Sequence, residues 1–200
     1  LKELGFITEI KKDTDFENIN SIIELGAGIG LLASVFLKLK KNRKYLIIDI
    51  PPTLFFSQYY LKNIGFKVFG YEDVLKEDYI DPEIIFENYD IICLPSWAIT
   101  RLKKFKFDLF INIYSFQEME KKQSINYLSI LKDKINKYAY IENAIEGHSK
   151  ASKKDDFGVL EPTQMEDIED YFNKEFSKIK KEINMDNRTY KLLLKKNNSN

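Results

Sequence analysis

ELGAGIG, residues 24–30, follows the short apolar run of residues 21–23 and carries glycine at positions 26, 28 and 30. Glycine adopts backbone conformations that other residues avoid, so this stretch predicts a sharp turn whose backbone can lie against a ligand. Residues 31–37 are mostly apolar and predict a helix that begins at the turn. A strand, a glycine turn and a helix, in this order, form the first unit of nucleotide-binding folds.

The spacing of the glycines indicates which class of nucleotide cofactor the turn fits. A dinucleotide fingerprint, G-x-G-x-x-G, would place its third glycine at position 31, where this chain has Leu31. The third glycine is Gly30 instead, and an acid, Glu24, precedes the first glycine by two residues. The spacing therefore disfavours a nicotinamide-dependent oxidoreductase.

A second acid lies at the end of the next apolar run. KYLIID, residues 44–49, predicts a buried strand that ends in Asp49. Asp49 follows the glycines by roughly twenty residues, where a carboxylate can bind ribose hydroxyls. The alternative is a glycine-rich turn that binds nothing, with Asp49 capping the next helix.

The remainder of the chain alternates between strand and helix patterns. Strands are predicted at 21–25, 44–49, 90–94, 107–113 and 138–142, and helices at about 29–41, 53–64, 116–136 and 163–176. Residues 66–88 give no clear pattern beyond a possible short strand at 66–69. A hairpin is predicted from 177–183 and 189–194, with a turn at 184–187. We expect an α/β fold: a Rossmann-like, doubly wound, mostly parallel seven-stranded sheet with a C-terminal antiparallel hairpin strand.

Length and composition predict one globular domain. A chain of 200 residues, 44% of them hydrophobic, can bury a core but is too short for two domains of ordinary size. We expect a domain at 21–196, a partial N-terminal helical segment at 1–20 whose upstream part is missing, and a disordered tail at 197–200.

Charge and cysteine content exclude several classes of function. Lys plus Arg and Asp plus Glu both number 31, so no overall positive field would attract nucleic acid. Cys93 is the only cysteine, which excludes an internal disulfide and a cysteine zinc site and fits a reducing compartment. No secretory signal or membrane-spanning stretch is visible, and no strong metal cluster. We expect a cytoplasmic protein without a membrane partner or a bound metal.

The E-x-G-x-G-x-G pattern, together with Asp49, resembles the cofactor loop of class I S-adenosylmethionine-dependent methyltransferases. The predicted C-terminal hairpin is also typical of that family. The resemblance implies S-adenosylmethionine as cofactor, with its methionine part at the glycines, its ribose at Asp49 and its adenine at residues 95–97. The predicted cofactor-binding residues are Glu24, Gly26, Ala27, Gly28, Gly30, Asp49, Ile50, Pro95, Ser96, Trp97 and Asn112.

Two of these residues have a second interpretation. Ligands of open α/β sheets bind at the carboxyl ends of the strands, where Trp97 and Asn112 are predicted to lie. The Trp97 ring can stack on adenine or anchor the segment 95–102 at the rim. The Asn112 amide needs a partner inside an apolar strand, and either a ligand or a neighbouring backbone group can supply one.

Two residues are candidates for the general base. His148, the only histidine, lies in a long polar loop at 143–156 and can deprotonate a hydroxyl group near neutral pH. It can equally be a solvent-exposed loop residue. Glu118 can accept a proton, but the S-x-x-E pattern that starts at Ser115 also predicts a helix-capping box. Thr163 and Glu166 repeat that pattern and are predicted to cap only.

Three segments look like the bacterial sugar O-methyltransferase family, and the match runs from about residue 21 to 145. They are DIPP (49–52), DLFINIYSFQEM (108–119) and YIEN (140–143). The resemblance implies methyl transfer to a hydroxyl of a small-molecule acceptor, a sugar or nucleotide sugar. The predicted substrate-binding residues are Ser115, Glu142, Asn143 and Glu146. The alternatives are a methyltransferase for another small molecule, and a cofactor-binding but inactive scaffold or partner domain.

Overall fold

The computed structural model describes residues 2–153, 156–184 and 187–197. The chain divides into two compact units, Leu1–Phe110 and Ile111–Asn200. The helices and strands of the first unit are α1 (Lys2–Asp13), β1 (Ser21–Leu25), α2 (Leu31–Leu39), β2 (Lys44–Asp49), α3 (Pro51–Asn63), β3 (Val68–Phe69), α4 (Tyr71–Val74), α5 (Pro82–Ile85) and β4 (Ile91–Pro95). Two 3-10 helices, Phe16–Asn18 and Ser96–Arg101, also belong to it.

Strand β5 (Phe107–Ile113) contains the division between the units. The second unit continues with α6 (Lys121–Leu131), β6 (Ile135–Ala144), α7 (Met165–Phe172), β7 (Phe176–Ile183) and β8 (Thr189–Lys196). Its 3-10 helices are Phe116–Glu118 and Lys132–Lys134. Among the described residues, every helix is too short or too polar to cross a membrane.

The strands form a mixed sheet in the order β3-β4-β2-β1-β5-β6-β8-β7. In the first unit β1 pairs with β2, and β2 and β3 pair with β4, all in parallel. In the second unit β8 pairs antiparallel with both β6 and β7. The predicted α/β fold with its C-terminal antiparallel hairpin is confirmed. The predicted number of strands is wrong: the described residues form eight, since the two-residue β3 adds an edge strand to the expected seven.

The register of the parallel strands aligns their carboxyl ends. Leu25 lies opposite Ile48, and Asp49 lies opposite Pro95. The predicted bounds of β1, β2 and β5 match the structure because strands buried on both faces are continuous apolar runs. The residues that follow β1, β2 and β4 therefore meet at one edge of the first unit.

Two helix predictions in the second unit are wrong. The expected helix at 116–136 is divided, because Glu120 and not Ser115 precedes the α-helix, and Gln123 Oε1 accepts the Glu120 N–H (3.3 Å). The Ser115–Glu118 capping box is absent: no side-chain hydrogen bond from Ser115 caps that 3-10 helix.

The second helix starts later and ends earlier than predicted. Asp167 Oδ2 accepts the Gln164 N–H (3.1 Å), so the cap lies one residue beyond Thr163. The Thr163 hydroxyl instead contacts Ser124 Oγ (2.7 Å) and the Met119 carbonyl (2.9 Å). The helix ends at Phe172, because Phe176 already begins β7. The predicted turn at 184–187 includes residues 185 and 186, which lie outside the described residues, as do 198–200 of the predicted tail.

Arg43 is a buried cation, 1% exposed, in the turn between α2 and β2. Its guanidinium donates hydrogen bonds to three backbone carbonyls, those of Ile19 (2.8 Å), Phe16 (2.8 Å) and Phe36 (3.3 Å). The group also lies 4.2 Å from the centroid of the Phe16 ring. Burial lowers the pKa of Arg43, while the charge of Glu17 raises it. One side chain thus joins the segment before β1 to the end of α2.

We expect Arg43→Met to lower the free energy of unfolding by about 2–4 kcal/mol, because three buried carbonyls lose their donor. Urea unfolding measures this value. Lys41→Met is the matched control: Lys41 is exposed in the same turn, and its loss should change stability by less than about 0.5 kcal/mol. Equal effects of the two substitutions would show that the Arg43 contacts do not hold this region together.

Candidate active site

The glycine turn begins directly after β1. The Gly26 N–H donates to the Ile48 carbonyl (2.8 Å), and the Gly30 N–H donates to the Ala27 carbonyl (3.1 Å). Gly28 and Gly30 have φ of 59° and 81°, in the left-handed region that favours glycine. A Cβ on Gly30 would lie 2.9 Å from Leu61 Cδ1, whereas a Cβ on Gly28 would meet no protein atom within 4 Å. Backbone conformation thus favours glycine at both positions, and at the third a Cβ would also crowd the Leu61 side chain.

The carboxylate of Asp49 is bound to this turn. Its Oδ2 accepts the Gly28 N–H (3.0 Å), and its Oδ1 accepts the Ile50 N–H (2.8 Å). Burial raises the pKa of Asp49, and the hydrogen bonds from the backbone oppose the rise. A carboxylate accepts up to about four hydrogen bonds, so it retains capacity for the hydroxyl groups of a ligand. The structure thus brings the two parts of the predicted cofactor motif into direct contact.

Ser57 holds the same turn, and the sequence analysis missed it. Its hydroxyl donates to the Gly28 carbonyl, and it is fully buried on α3. Leu54 and Leu61, three residues before and four residues after it, are also fully buried. A polar residue at helical spacing between two buried leucines is a signal that could have identified Ser57.

Glu24, a predicted cofactor-binding residue, is buried within the sheet and 3% exposed. Tyr45 lies opposite Ile22, two residues before Glu24, so the two side chains are diagonal neighbours on one face. The Tyr45 hydroxyl donates to Glu24 Oε2 (2.8 Å). Burial raises the pKa of Glu24 to about 7; the tyrosine hydrogen bond opposes this rise and the charge of Asp49 adds to it.

The third strand end of the first unit carries Pro95, Ser96 and Trp97. Pro95 is the last residue of β4 and lies opposite Asp49. Trp97 is 44% exposed; the Arg101 guanidinium lies 4.9 Å from its ring centroid, and the Tyr71 ring meets it edge-on at 6.3 Å. These contacts are those of an anchored rim residue. Stacking of Trp97 on adenine stays a prediction.

In the second unit, Asn112 is fully buried near the end of β5. Its amide oxygen accepts the Phe116 N–H (3.2 Å) and the Asn143 amide Nδ2–H (2.9 Å). Asn143 Oδ1 in turn accepts the Gln117 N–H (3.2 Å). The oxygen of Asn112 therefore has partners within the protein, and a contact of Asn112 with the cofactor stays a prediction.

Glu142, a predicted substrate-binding residue, is buried at the end of β6. The Tyr114 hydroxyl donates to its Oε1 (2.5 Å) and the Tyr140 hydroxyl to its Oε2 (2.8 Å), while Lys191 Nζ lies 3.9 Å from Oε2. Tyr114, which the sequence analysis missed, has φ of 54°. An aromatic residue in the left-handed region marks backbone strain, which often occurs at functional sites.

The two candidate bases lie side by side in the second unit. His148 Nε2 is 3.5 Å from Glu118 Oε2, and the Phe157 ring lies 5.0 Å from the imidazole, centroid to centroid. The His148 side chain is 22% exposed and that of Glu118 is 54% exposed. Ser115 contacts Glu118 through its backbone, since its carbonyl accepts the Glu118 N–H (3.1 Å).

A cavity of about 400 Å³ adjoins His148. Its polar lining includes Glu146, Ser149, Lys150 and Gln164. Of the predicted substrate-binding residues, Glu146 is exposed here, whereas Glu142 and Asn143 are buried. Among the described residues, no group of three or more His, Cys, Asp or Glu side chains is arranged to hold a metal ion.

The raised pKa of Glu24 predicts a pH dependence of stability. Between pH 4.5 and about 7 the folded chain keeps a proton that the unfolded chain releases, so the free energy of unfolding falls as the pH rises through this window. Glu24→Gln removes this pH-dependent loss of stability. Relative to that of the wild type, the free energy of unfolding of the variant should increase by on the order of 2 kcal/mol as the pH rises from the lower to the upper end of the window.

Urea unfolding of the wild type and the variant at several pH values checks this expectation. Glu72→Gln, at an exposed glutamate, is the matched control and should give a difference that does not vary with pH. A pH-independent difference for Glu24→Gln as well would show that Glu24 ionises in the ordinary range.

The sequence matches no family model and no curated protein. Solved structures share its fold at low identity. The magnesium protoporphyrin IX methyltransferase of Synechocystis, solved with bound S-adenosylmethionine, is 11% identical, with a TM-score of 0.61 over 98% of this chain and 80% of its own. An S-adenosylmethionine-dependent methyltransferase from Clostridium acetobutylicum is 12% identical, with a TM-score of 0.62 over 97% of this chain and 90% of its own.

The mitomycin 7-O-methyltransferase is 10% identical, with a TM-score of 0.62 over 98% of this chain. The chain spans 53% of that protein's length. Likeness at this level of identity establishes the fold alone. The chain has the fold of the class I S-adenosylmethionine-dependent methyltransferases.

Proposed function

We propose that the chain is an S-adenosylmethionine-dependent O-methyltransferase that acts on a hydroxyl of a sugar or a sugar-containing intermediate. The observation that carries the proposal is the bond between the Asp49 carboxylate and the Gly28 N–H, at the carboxyl edge of a sheet with a methyltransferase fold. This hydrogen bond brings the two parts of the predicted cofactor motif, the glycine turn and Asp49, into contact. One solved neighbour, the magnesium protoporphyrin IX methyltransferase of Synechocystis, has structures with bound S-adenosylmethionine and with its demethylated product.

The first unit supplies the proposed cofactor site. Residues 26–30 admit the methionine part, Asp49 binds the ribose hydroxyls, and residues 95–97 lie against the adenine. When bound, the cofactor supplies a methyl group already activated by its positively charged sulfur. The protein therefore has mainly to place an acceptor oxygen in line with that methyl group, and positioning of this kind lowers a barrier by several kcal/mol.

The second unit supplies the proposed base. His148 Nε2 faces Glu118 Oε2 (3.5 Å), and Nδ1 lies 3.5 Å from the Ser149 carbonyl oxygen, so each ring nitrogen has a hydrogen-bond acceptor nearby. In the proposed step the ring nitrogen that carries no proton accepts the proton of the acceptor hydroxyl, and the Glu118 carboxylate stabilises the resulting cation. Such proton transfer contributes roughly a hundredfold or more to a rate.

The polar cavity beside His148 supports a sugar as acceptor. Glu146 and Gln164 offer hydrogen-bond acceptors, and Ser149 and Lys150 offer donors. A polyhydroxylated ligand satisfies both kinds of group, whereas an apolar aromatic acceptor leaves them without partners.

Calorimetric titration tests the cofactor proposal. We expect micromolar binding of S-adenosylmethionine, no binding of NAD, and a loss of at least about tenfold in affinity for Asp49→Ala, since both backbone contacts and the ribose contact disappear. Asp78→Ala, at an exposed aspartate, is the matched control and should bind like the wild type. Binding of NAD in place of S-adenosylmethionine would contradict the proposal.

A screen of nucleotide sugars for methyl transfer tests the acceptor and the base. With an acceptor in hand, His148→Asn should lower kcat by about a hundredfold and leave cofactor affinity unchanged. Turnover at the wild-type rate in this variant would show that His148 is not the base. Cofactor binding without transfer to any acceptor would favour an inactive scaffold domain.

A further inference from the structure

The side chain of Gln117 joins two neighbouring parts of the second unit. Its amide Nε2–H donates to Glu118 Oε1 (3.0 Å), and its Oε1 accepts the N–H of Ala144 (2.8 Å), the last residue of β6. One planar amide thus links a candidate catalytic carboxylate to a fixed point on the sheet.

The main chain of Gln117 is tied to the same region. Its N–H donates to Asn143 Oδ1 (3.2 Å), and its carbonyl accepts the N–H of His148 (3.0 Å). The asparagine is itself buried and bonded to Asn112. Gln117 is therefore held on one side by a buried polar pair and holds the backbone of His148 on the other.

The two oxygens of Glu118 have separate partners. Oε1 takes the amide hydrogen of Gln117, and Oε2 lies 3.5 Å from His148 Nε2. The Glu118 side chain is half exposed, and an exposed glutamate exchanges among several rotamers unless a contact restricts it. The bond to Gln117 is a contact that restricts this carboxylate while the second oxygen faces the imidazole.

We propose that Gln117 is the positioning residue of the Glu118–His148 pair. Its amide orients the carboxylate, and the carboxylate in turn orients the imidazole. The role of this pair in methyl transfer rests on the proposed function. The positioning of the pair, in contrast, is a property of the protein without any ligand. It can therefore be measured without an acceptor or a cofactor.

The test uses the single histidine of the chain, whose imidazole signal in an NMR spectrum needs no assignment among several. Glu118→Gln should shift the His148 imidazole resonance at a fixed pH, because it removes the neighbouring charge. We expect that shift to shrink by about threefold or more in a Gln117→Met background, where the carboxylate no longer faces the ring. Gln123→Met is the matched control: its side chain accepts the Glu120 N–H (3.3 Å), and the full shift should persist in that background.

Should Gln117→Met fail to fold, Gln117→Glu replaces it. That variant keeps an acceptor for the Ala144 N–H and exchanges only the donor to Glu118 for a repelling carboxylate, so the same reduction is expected. A full-sized shift in the Gln117→Met or Gln117→Glu background would overturn the positioning role. So would the absence of a shift in the wild-type background. Failure of the proposed function would appear separately, as an absence of cofactor binding or of methyl transfer.

Discussion

The hydrogen bond from Gly28 to Asp49 is the contact on which the first unit's candidate site depends. It is possible because the parallel register sets Leu25 opposite Ile48, so the residues after β1 and β2 emerge side by side. Ser57 binds the carbonyl of the same glycine from α3. A turn with left-handed backbone conformation is thus held through both the N–H and the carbonyl of Gly28.

The candidate residues of the second unit are held by a different kind of contact. Three polar side chains near strand ends have other protein groups as partners: Asn112, Asn143 and Glu142. Buried polar groups require such partners, and a network in which they are supplied fixes a single arrangement of its members. His148 and Glu118 are more exposed and rest on this network through Gln117. The buried polar residues thus hold the more exposed His148–Glu118 pair in place through Gln117.

Much of the fold was predictable because buried parallel strands are continuous apolar runs. The segment 66–88 was not, since β3 has two residues and α4 and α5 have four each, too few for any periodicity to be visible. Helix starts were misplaced because several polar residues in succession could act as caps, and only tertiary contacts choose between Thr163 and Gln164. The sequence did not predict the contacts of Arg43, Ser57 and Tyr114, although Ser57 lies at helical spacing between two leucines and Tyr114 lies within the segment 108–119. Their roles depend on carbonyls and carboxylates that are distant in sequence.

The strained backbone of Tyr114 bears on how this chain can change over generations. Glycine adopts a φ of 54° without the clash that a Cβ introduces, but a change to glycine would remove the hydroxyl that donates to the buried Glu142 carboxylate. Relief of backbone strain and loss of this hydrogen bond therefore oppose each other at this position. Persistence of tyrosine among descendants of the chain would record that the contact with Glu142 outweighs the strain, whereas drift to glycine would record the reverse.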